Sequence, residues 1–201
     1  MAEKYGGRKF RTIFKGSEAP EDSRITEAMM WGQKFHAMGL LPVEDGGHAG
    51  NISFRNDRGF VITAGGKDKG KLNQADFVQV LSCNIDNGTV TAEGEAEPSS
   101  ETLAHCMLYE RRKDIDAIIH VHDPLVLSCV GKLGIKATAH IHSYGTPELA
   151  REIVASVGKR NFLAVKGHGV IALGKSLWEA GKIIEAYHSA AGHLCELPEK
   201  E

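Results

Sequence analysis

Apolar residues recur with two different periods along this chain, and the switches between them outline its elements. Ile25, Ala28, Met29, Gly32 and Phe35 fall at helical spacing, which predicts a helix capped by Asp22 or Ser23 and ended by Gly39. GGHAGNISFR (46–55) then enters a strand, and GFVITAGG (59–66) contains a second, with β-branched Val61, Ile62 and Thr63. A third strand is expected over 76–81, a turn at DNGT (86–89) and a short return strand over 90–92. PSSETLAHCMLYERR starts a helix: Pro98 precedes it, Ser99 or Ser100 can cap it, and Glu101 sits in the first turn, where the helix dipole favours a carboxylate.

The second half continues the alternation. Strands are expected over 115–122 and 136–142, with a short helix over 124–130 between them. Thr146 caps a helix of PELAREIVASV that ends at Gly158. Segments 162–166 and 170–173 form a hairpin-like pair around GHG, and a last helix runs over about 176–193. Residues 1–21 are mixed polar and read as an irregular N-terminal arm, followed by one domain over 22–197. Several strand pairs are joined by short turns, so the reading is an α/β domain with a largely antiparallel sheet and helices on its faces.

Bulk properties narrow the function. The chain has 201 residues, 42% hydrophobic and 25% charged, with a formal net charge of −2. That balance gives no reason to expect nucleic acid or a membrane surface as a partner. No apolar run approaches the roughly 18–20 residues that span a bilayer. The basic N-terminus lacks the apolar stretch of a secretory signal. Cys83, Cys106, Cys129 and Cys195 are scattered without a C-x-x-C, which reads as reduced thiols in a cytoplasmic setting.

Candidate chemistry centres on histidine: of ten, five fall between 105 and 142. In IIHVHDP (118–124), His120 and His122 stand two apart in an extended segment and leave the same face. A catalytic zinc takes three protein ligands and keeps an open position. His168, flanked by glycines in VKGHGVIALG, is a candidate third ligand, while His140 and His142 form a rival H-x-H pair. Glu101 offers a carboxylate suited to general acid–base work beside a metal. His105 reads as structural, His36, His188 and His193 as helix surface, and Trp31 and Trp178 as core. Lys67, Lys69 and Lys71 read as a solvated edge, with a secondary role as positive charge near an anion.

The segments GNISFR (50–55), FVITAGGKDKGKL (60–72), PSSETLAH (98–105), IIHVHDP (118–124) and GHGVIALGKSLWEA (167–180) occur in the order found in one family and span roughly residues 23–190. On them the chain resembles the class II aldolase/adducin family, the fuculose-phosphate aldolase and ribulose-phosphate 4-epimerase group. The resemblance implies a three-layer α/β/α domain with a central, mainly antiparallel sheet, assembled as a homotetramer with active sites near subunit interfaces. It implies a zinc or other divalent ion on His120, His122 and His168, with Glu101 as the acidic catalytic residue. Asn51, Ser99 and Ser100 match phosphate-binding positions, and TAGG, with Gly65 and Gly66, matches the phosphate loop.

The implied activity is a metal-dependent aldehyde-lyase cleaving a small, phosphorylated ketose through an enediolate. A 4-epimerase or dehydratase on the same fold is the alternative, and a non-catalytic adducin-like module a further one, which predicts loss of the ligand histidines. Three departures stand out. Gly65 replaces a common Thr or Ser, His48 stands where a small hydroxyl residue is usual, and no tyrosine occurs between His122 and Tyr144. Tyr144, Tyr187, His140 and His142 are the candidates for a second proton donor.

Overall fold

A computed structural model describes residues 8–44 and 47–196. The first seven residues of the expected arm, Gly46, the expected domain limit at 197 and the Cys195 side chain lie outside the described residues. The elements in chain order are β1 (Arg11–Gly16), α1 (Ile25–Ala37), β2 (Val43–Glu44), β3 (Gly47–His48), β4 (Asn51–Asn56) and β5 (Gly59–Thr63). Then follow β6 (Phe77–Asn84), β7 (Thr89–Glu93), α2 (Thr102–Arg111), β8 (Ala117–Val121), α3 (Pro124–Ser128) and α4 (Pro147–Val157). Strands β9 (Phe162–Val165) and β10 (Gly169–Gly174) precede α5 (Leu177–Glu196).

Eight strands form one sheet in the order β1-β7-β6-β5-β4-β8-β10-β9. Every pairing is antiparallel except the edge pair β1–β7. Side chains alternate between two apolar layers, so the central strands are buried on both faces. In β8, Ala117, Ile119 and Val121 join Trp31 and Phe35 of α1, Val126 of α3 and Ile184 of α5 in one core. Ile118 points the other way, into a second core with Leu103 and Leu108 of α2 and Leu149 and Ile153 of α4. The domain is therefore the three-layer α/β/α arrangement expected. No helix among the described residues is long and apolar enough to cross a membrane.

Four expectations need correction. Arg11–Gly16, inside the stretch read as irregular, form β1 and pair in parallel with β7. Buried Phe10 anchors this strand, and the Thr12 hydroxyl donates to Glu97. The strand expected over 136–142 is absent: only Ala137 makes an isolated bridge, to Ala164. The backbone turns there because the Ala139 and His140 N–H groups donate to the Glu152 carboxylate rather than to a strand. Trp31 is core, but Trp178 is 57% exposed, its ring tilted against Trp31 at 5.6 Å. Lys69 is buried, not solvated; its Nζ donates to the Lys67 carbonyl at 2.9 Å, and burial lowers its pKa to about 8.

Local chemistry explains the helix ends. The Thr146 hydroxyl accepts the Leu149 N–H at 3.2 Å, with Pro147 at the first helical position, the arrangement read from the sequence. Helix α1 begins without a side-chain cap: the Asp22 carboxylate accepts from Arg24, and the Ile25 N–H donates to the Asp22 carbonyl.

Helix α5 packs so closely on α1 that Gly181 faces the Trp31 ring with no room for a methyl group. Gly181→Ala should lower unfolding free energy by about 1–3 kcal/mol, the overpacking cost outweighing its better helix propensity. Gly131→Ala, with open space around it, should be neutral or slightly stabilising. Urea denaturation of the two variants checks the pair, and equal stabilities would refute the close α1–α5 contact.

Candidate active site

The register of three strands assembles the site. Strand β8 lies between β4 and β10, and His120 pairs with Asn51 on one side and Ile171 on the other. By the two-residue period, His120, Asn51 and Ser53 leave the sheet on the α2 side, opposite Ile119 and Ile52. His122 follows directly after β8, its N–H donating to the Leu40 carbonyl at 2.9 Å. His168 sits in the turn between β9 and β10. Gly167 adopts φ 71°, and a Cβ on Gly169 would stand 2.8 Å from the His120 ring and 3.1 Å from the His122 ring. The two glycines thus turn the chain and clear the space into which three imidazoles converge.

Ring centroids lie 5.0 Å apart for His120–His122, 4.9 Å for His120–His168 and 4.7 Å for His122–His168. One nitrogen from each ring falls within 4.8 Å of the others. The His120 Nδ1 is 3.0 Å from the Val170 carbonyl, a contact that requires an N–H there and leaves Nε2 as a lone pair facing inward. His120 Nε2 and His168 Nε2 are 3.1 Å apart.

Glu101 closes the group from α2, with its carboxylate oxygens 3.1 Å from His120 Nε2 and 3.3 Å from His168 Nε2. It occupies the N-cap position of the helix but makes no side-chain cap, contrary to the expectation that Ser99 or Ser100 caps a helix containing Glu101 in its first turn. The Asn51 amide donates to Glu101 Oε2 at 2.8 Å and to Ser99 Oγ at 3.1 Å. Burial disfavours charge on Glu101, yet His120, His168 and His122 together with Asn51 outweigh it and hold its pKa at about 2. Burial moves His120 the other way, to about 4, against the pull of Glu101. Near neutrality the ionised Glu101 carboxylate therefore faces the Nε2 lone pair of His120, an arrangement that a cation would resolve. The donor set, three imidazoles and a carboxylate around one point, fits a divalent transition metal.

His140 and His142, the rival ligands, form a separate cluster around Glu152, at 3.2 and 2.7 Å. The residues expected at a phosphate divide. Gly65 lies against Pro98 and Ser99, and its N–H is already given to the Glu97 carbonyl. Ser99 and Asn51 are buried and bonded to each other, whereas Ser100 is half-buried and Gly66 exposed.

One supporting pair went unread in the sequence. Asp123, next to His122, is buried, caps α3 through the Val126 N–H, and bonds His188 Nδ1 at 2.8 Å, so His188 is not simply solvated surface. The Asp-Pro pair was a cap signal; its partner 65 residues away had none. His105 is buried as a structural residue, with Nδ1 2.7 Å from Ser53 Oγ, which also meets the Tyr109 hydroxyl at 2.8 Å.

Known proteins resemble this chain over most of its length. The family model for the class II aldolase and adducin N-terminal domain matches residues 32–194. A methylthioribulose-1-phosphate dehydratase of Leptospira biflexa is 35% identical over 176 residues, covering 70% of this chain and 83% of that protein. An L-fuculose phosphate aldolase of Methanocaldococcus jannaschii is 28% identical over 159 residues, covering 72% and 83%. Among solved structures, an L-fuculose 1-phosphate aldolase superposes with a TM-score of 0.72 at 26% identity, covering 92% of this chain and 94% of its own.

His105 provides a test of burial. Its pKa falls from 6.5 to about 4 because burial penalises the cation. Between those values the unfolded chain holds a proton that the folded chain excludes. Stability is therefore full above about pH 6.5 and should drop by up to about 3 kcal/mol as pH falls toward 4, with His120 adding in the same direction. Denaturant titrations across that window should show a shallower loss in His105→Gln, and an unchanged slope would refute the neutral buried imidazole.

Proposed function

The chain belongs to the class II aldolase and adducin family, and we propose that it is a metal-dependent lyase that cleaves a small phosphorylated ketose by a retro-aldol reaction. The observation that carries this reading is the convergence of His120, His122 and His168 on the buried, ionised carboxylate of Glu101. A non-catalytic module would have no reason to keep that set. His120, His122 and His168 hold the divalent ion, zinc by preference for imidazole. Once bound, the ion supplies Lewis-acid charge against the electron density that develops on a substrate ketone.

The protein's own groups divide the remaining work. Asn51 fastens Glu101 Oε2, which leaves Oε1 as the oxygen that moves a proton. Oε1 takes the proton of the C4 hydroxyl, the C3–C4 bond breaks, and its electron pair passes toward the C2 carbonyl. The same carboxyl then returns a proton to C3. Ser99, Ser100 and Asn51, with Gly65 and Gly66 nearby, receive the phosphate; half-buried Ser100 is the one placed to donate without giving up an internal bond. Four copies assemble as a homotetramer in the cytoplasm, a state supported by the family likeness.

Dehydration is the second reading, favoured by the 35% identity to a methylthioribulose-1-phosphate dehydratase. There Glu101 takes a proton from the carbon beside the ketone, and a neighbouring hydroxyl leaves as water. Incubation with fuculose 1-phosphate and methylthioribulose 1-phosphate separates the two. Aldehyde release supports cleavage, whereas a product lacking one water, seen by mass spectrometry, supports dehydration.

His168→Ala should lose bound metal and turnover together, because three ligands leave none to spare. Glu101→Gln should keep metal and fold while kcat falls by about 10²–10⁴-fold. Metal analysis and kcat on the same preparations decide this, and full turnover in Glu101→Gln ends the mechanism. Ser100→Ala should raise KM for a phosphorylated substrate by about tenfold with little change in kcat. An unaltered KM would remove Ser100 from the phosphate site.

A further inference from the structure

A second group of metal-binding side chains lies outside the site described above. His36 comes from the last turn of α1, His48 from β3, and Asp68 from the loop that follows β5. His36 Nδ1 stands 3.8 Å and His48 Nδ1 3.7 Å from the same oxygen, Asp68 Oδ1, and the two ring centroids are 5.7 Å apart. These distances are too long for hydrogen bonds. They are close to the spacing of two ligands that each sit about 2.1 Å from one ion, which stand about 3.4 Å apart in a tetrahedron. His48 Nδ1 is buried and makes no hydrogen bond, so the fold leaves a polar atom unsatisfied. Gly70 makes the approach possible: a Cβ there would be 2.6 Å from the His36 ring.

We propose that His36, His48 and Asp68 form a second divalent-metal site, distinct from the His120 group and selective for a zinc-like ion. Two imidazole nitrogens and one carboxylate oxygen suit such an ion in chemistry and charge. Asp68 Oδ1 already accepts the Gly70 N–H at 2.9 Å, which orients the carboxylate and leaves it a free lone pair. Of the cations nearby, Lys69 is held with its Nζ on the Lys67 carbonyl, and Lys71, 3.8 Å from Asp68 Oδ2 with an 84% exposed side chain, can withdraw as the ion enters. His36, 41% exposed, opens the remaining coordination position to water.

The role follows from what the three ligands join. The His48 N–H donates to the Gly66 carbonyl at 3.4 Å, and Gly47 packs directly on Gly66. An ion here clips the end of α1 and the β2–β3 hairpin to the loop that carries Gly65 and Gly66. It braces that loop without touching the reacting groups. By contrast, Glu152 in the His140–His142 cluster already accepts hydrogen bonds from both rings and two backbone N–H groups, which leaves it no comparable gap.

The test is zinc stoichiometry on full-length protein stripped with a chelator, titrated by calorimetry and checked by elemental analysis. Wild type should bind two equivalents per chain, and His36→Ala/Asp68→Asn should bind one. In a His120→Ala/His168→Ala background one equivalent should remain, and adding His36→Ala/Asp68→Asn should abolish it. Wild-type stoichiometry in His36→Ala/Asp68→Asn overturns the proposal, as does loss of the second equivalent only in His142→Ala. The comparison of wild type with His36→Ala/Asp68→Asn holds even where the buried double variant fails to fold. Failure of the His120 site shows as one equivalent in wild type that His36→Ala/Asp68→Asn removes, so the two readings fail separately.

Discussion

The antiparallel pairing of β8 between β4 and β10 is the constraint on which the rest of the molecule depends. It sets Asn51 opposite His120 and brings the β9–β10 turn, with His168, to the end of β8. A slip of one residue in either pairing would exchange the faces of every side chain. His120 would enter the apolar layer of Trp31 and Phe35, and Ile119 would meet Glu101. Both faces of β8 are buried in apolar cores, each large side chain contributing about 1.5–3 kcal/mol, so the register is held by the packing of the whole sheet.

That packing sustains an electrostatic arrangement that is costly by itself. Glu101 is 7% exposed and ionised, facing His120, whose imidazole burial keeps neutral. The Asn51 amide offsets part of the cost, and the Val170 carbonyl selects the His120 tautomer. A cation would satisfy what remains. Stability and chemistry therefore meet in the same side chains, and the site is poised for charge because the protein has already removed the water around it.

The same logic separates the three histidine groups. At His120 three imidazoles converge on a buried carboxylate. At His140 and His142 the carboxylate of Glu152 is saturated by backbone and ring donors, and it replaces a strand with a turn. At His36 and His48 the carboxylate is shared at distances that no hydrogen bond spans. Residue types are alike in all three; the donors already spent on Glu152 set its group apart, and burial separates the His120 group from the His36 group.

Hydrophobic periodicity made most elements legible, because alternation and helical spacing report local geometry directly. Ile118, Ile119 and Val121 marked β8, and Thr146-Pro147 marked the start of α4, each from neighbours in sequence. The histidines and Glu101 were legible as chemistry, since the H-x-H spacing places two rings on one face and glycines flank His168. What the chain could not disclose locally was pairing at long range. The parallel docking of β1 on β7, the burial of Lys69, the Asp123–His188 bond and the capture of residues 139–142 by Glu152 all join distant segments. Their side chains are of mixed polarity and carry no periodic signal, and their environment is set only when the sheet closes and the helices cover it. Sequence determined which residues could do chemistry; tertiary packing decided which of them meet, how dry they are and which protons they keep.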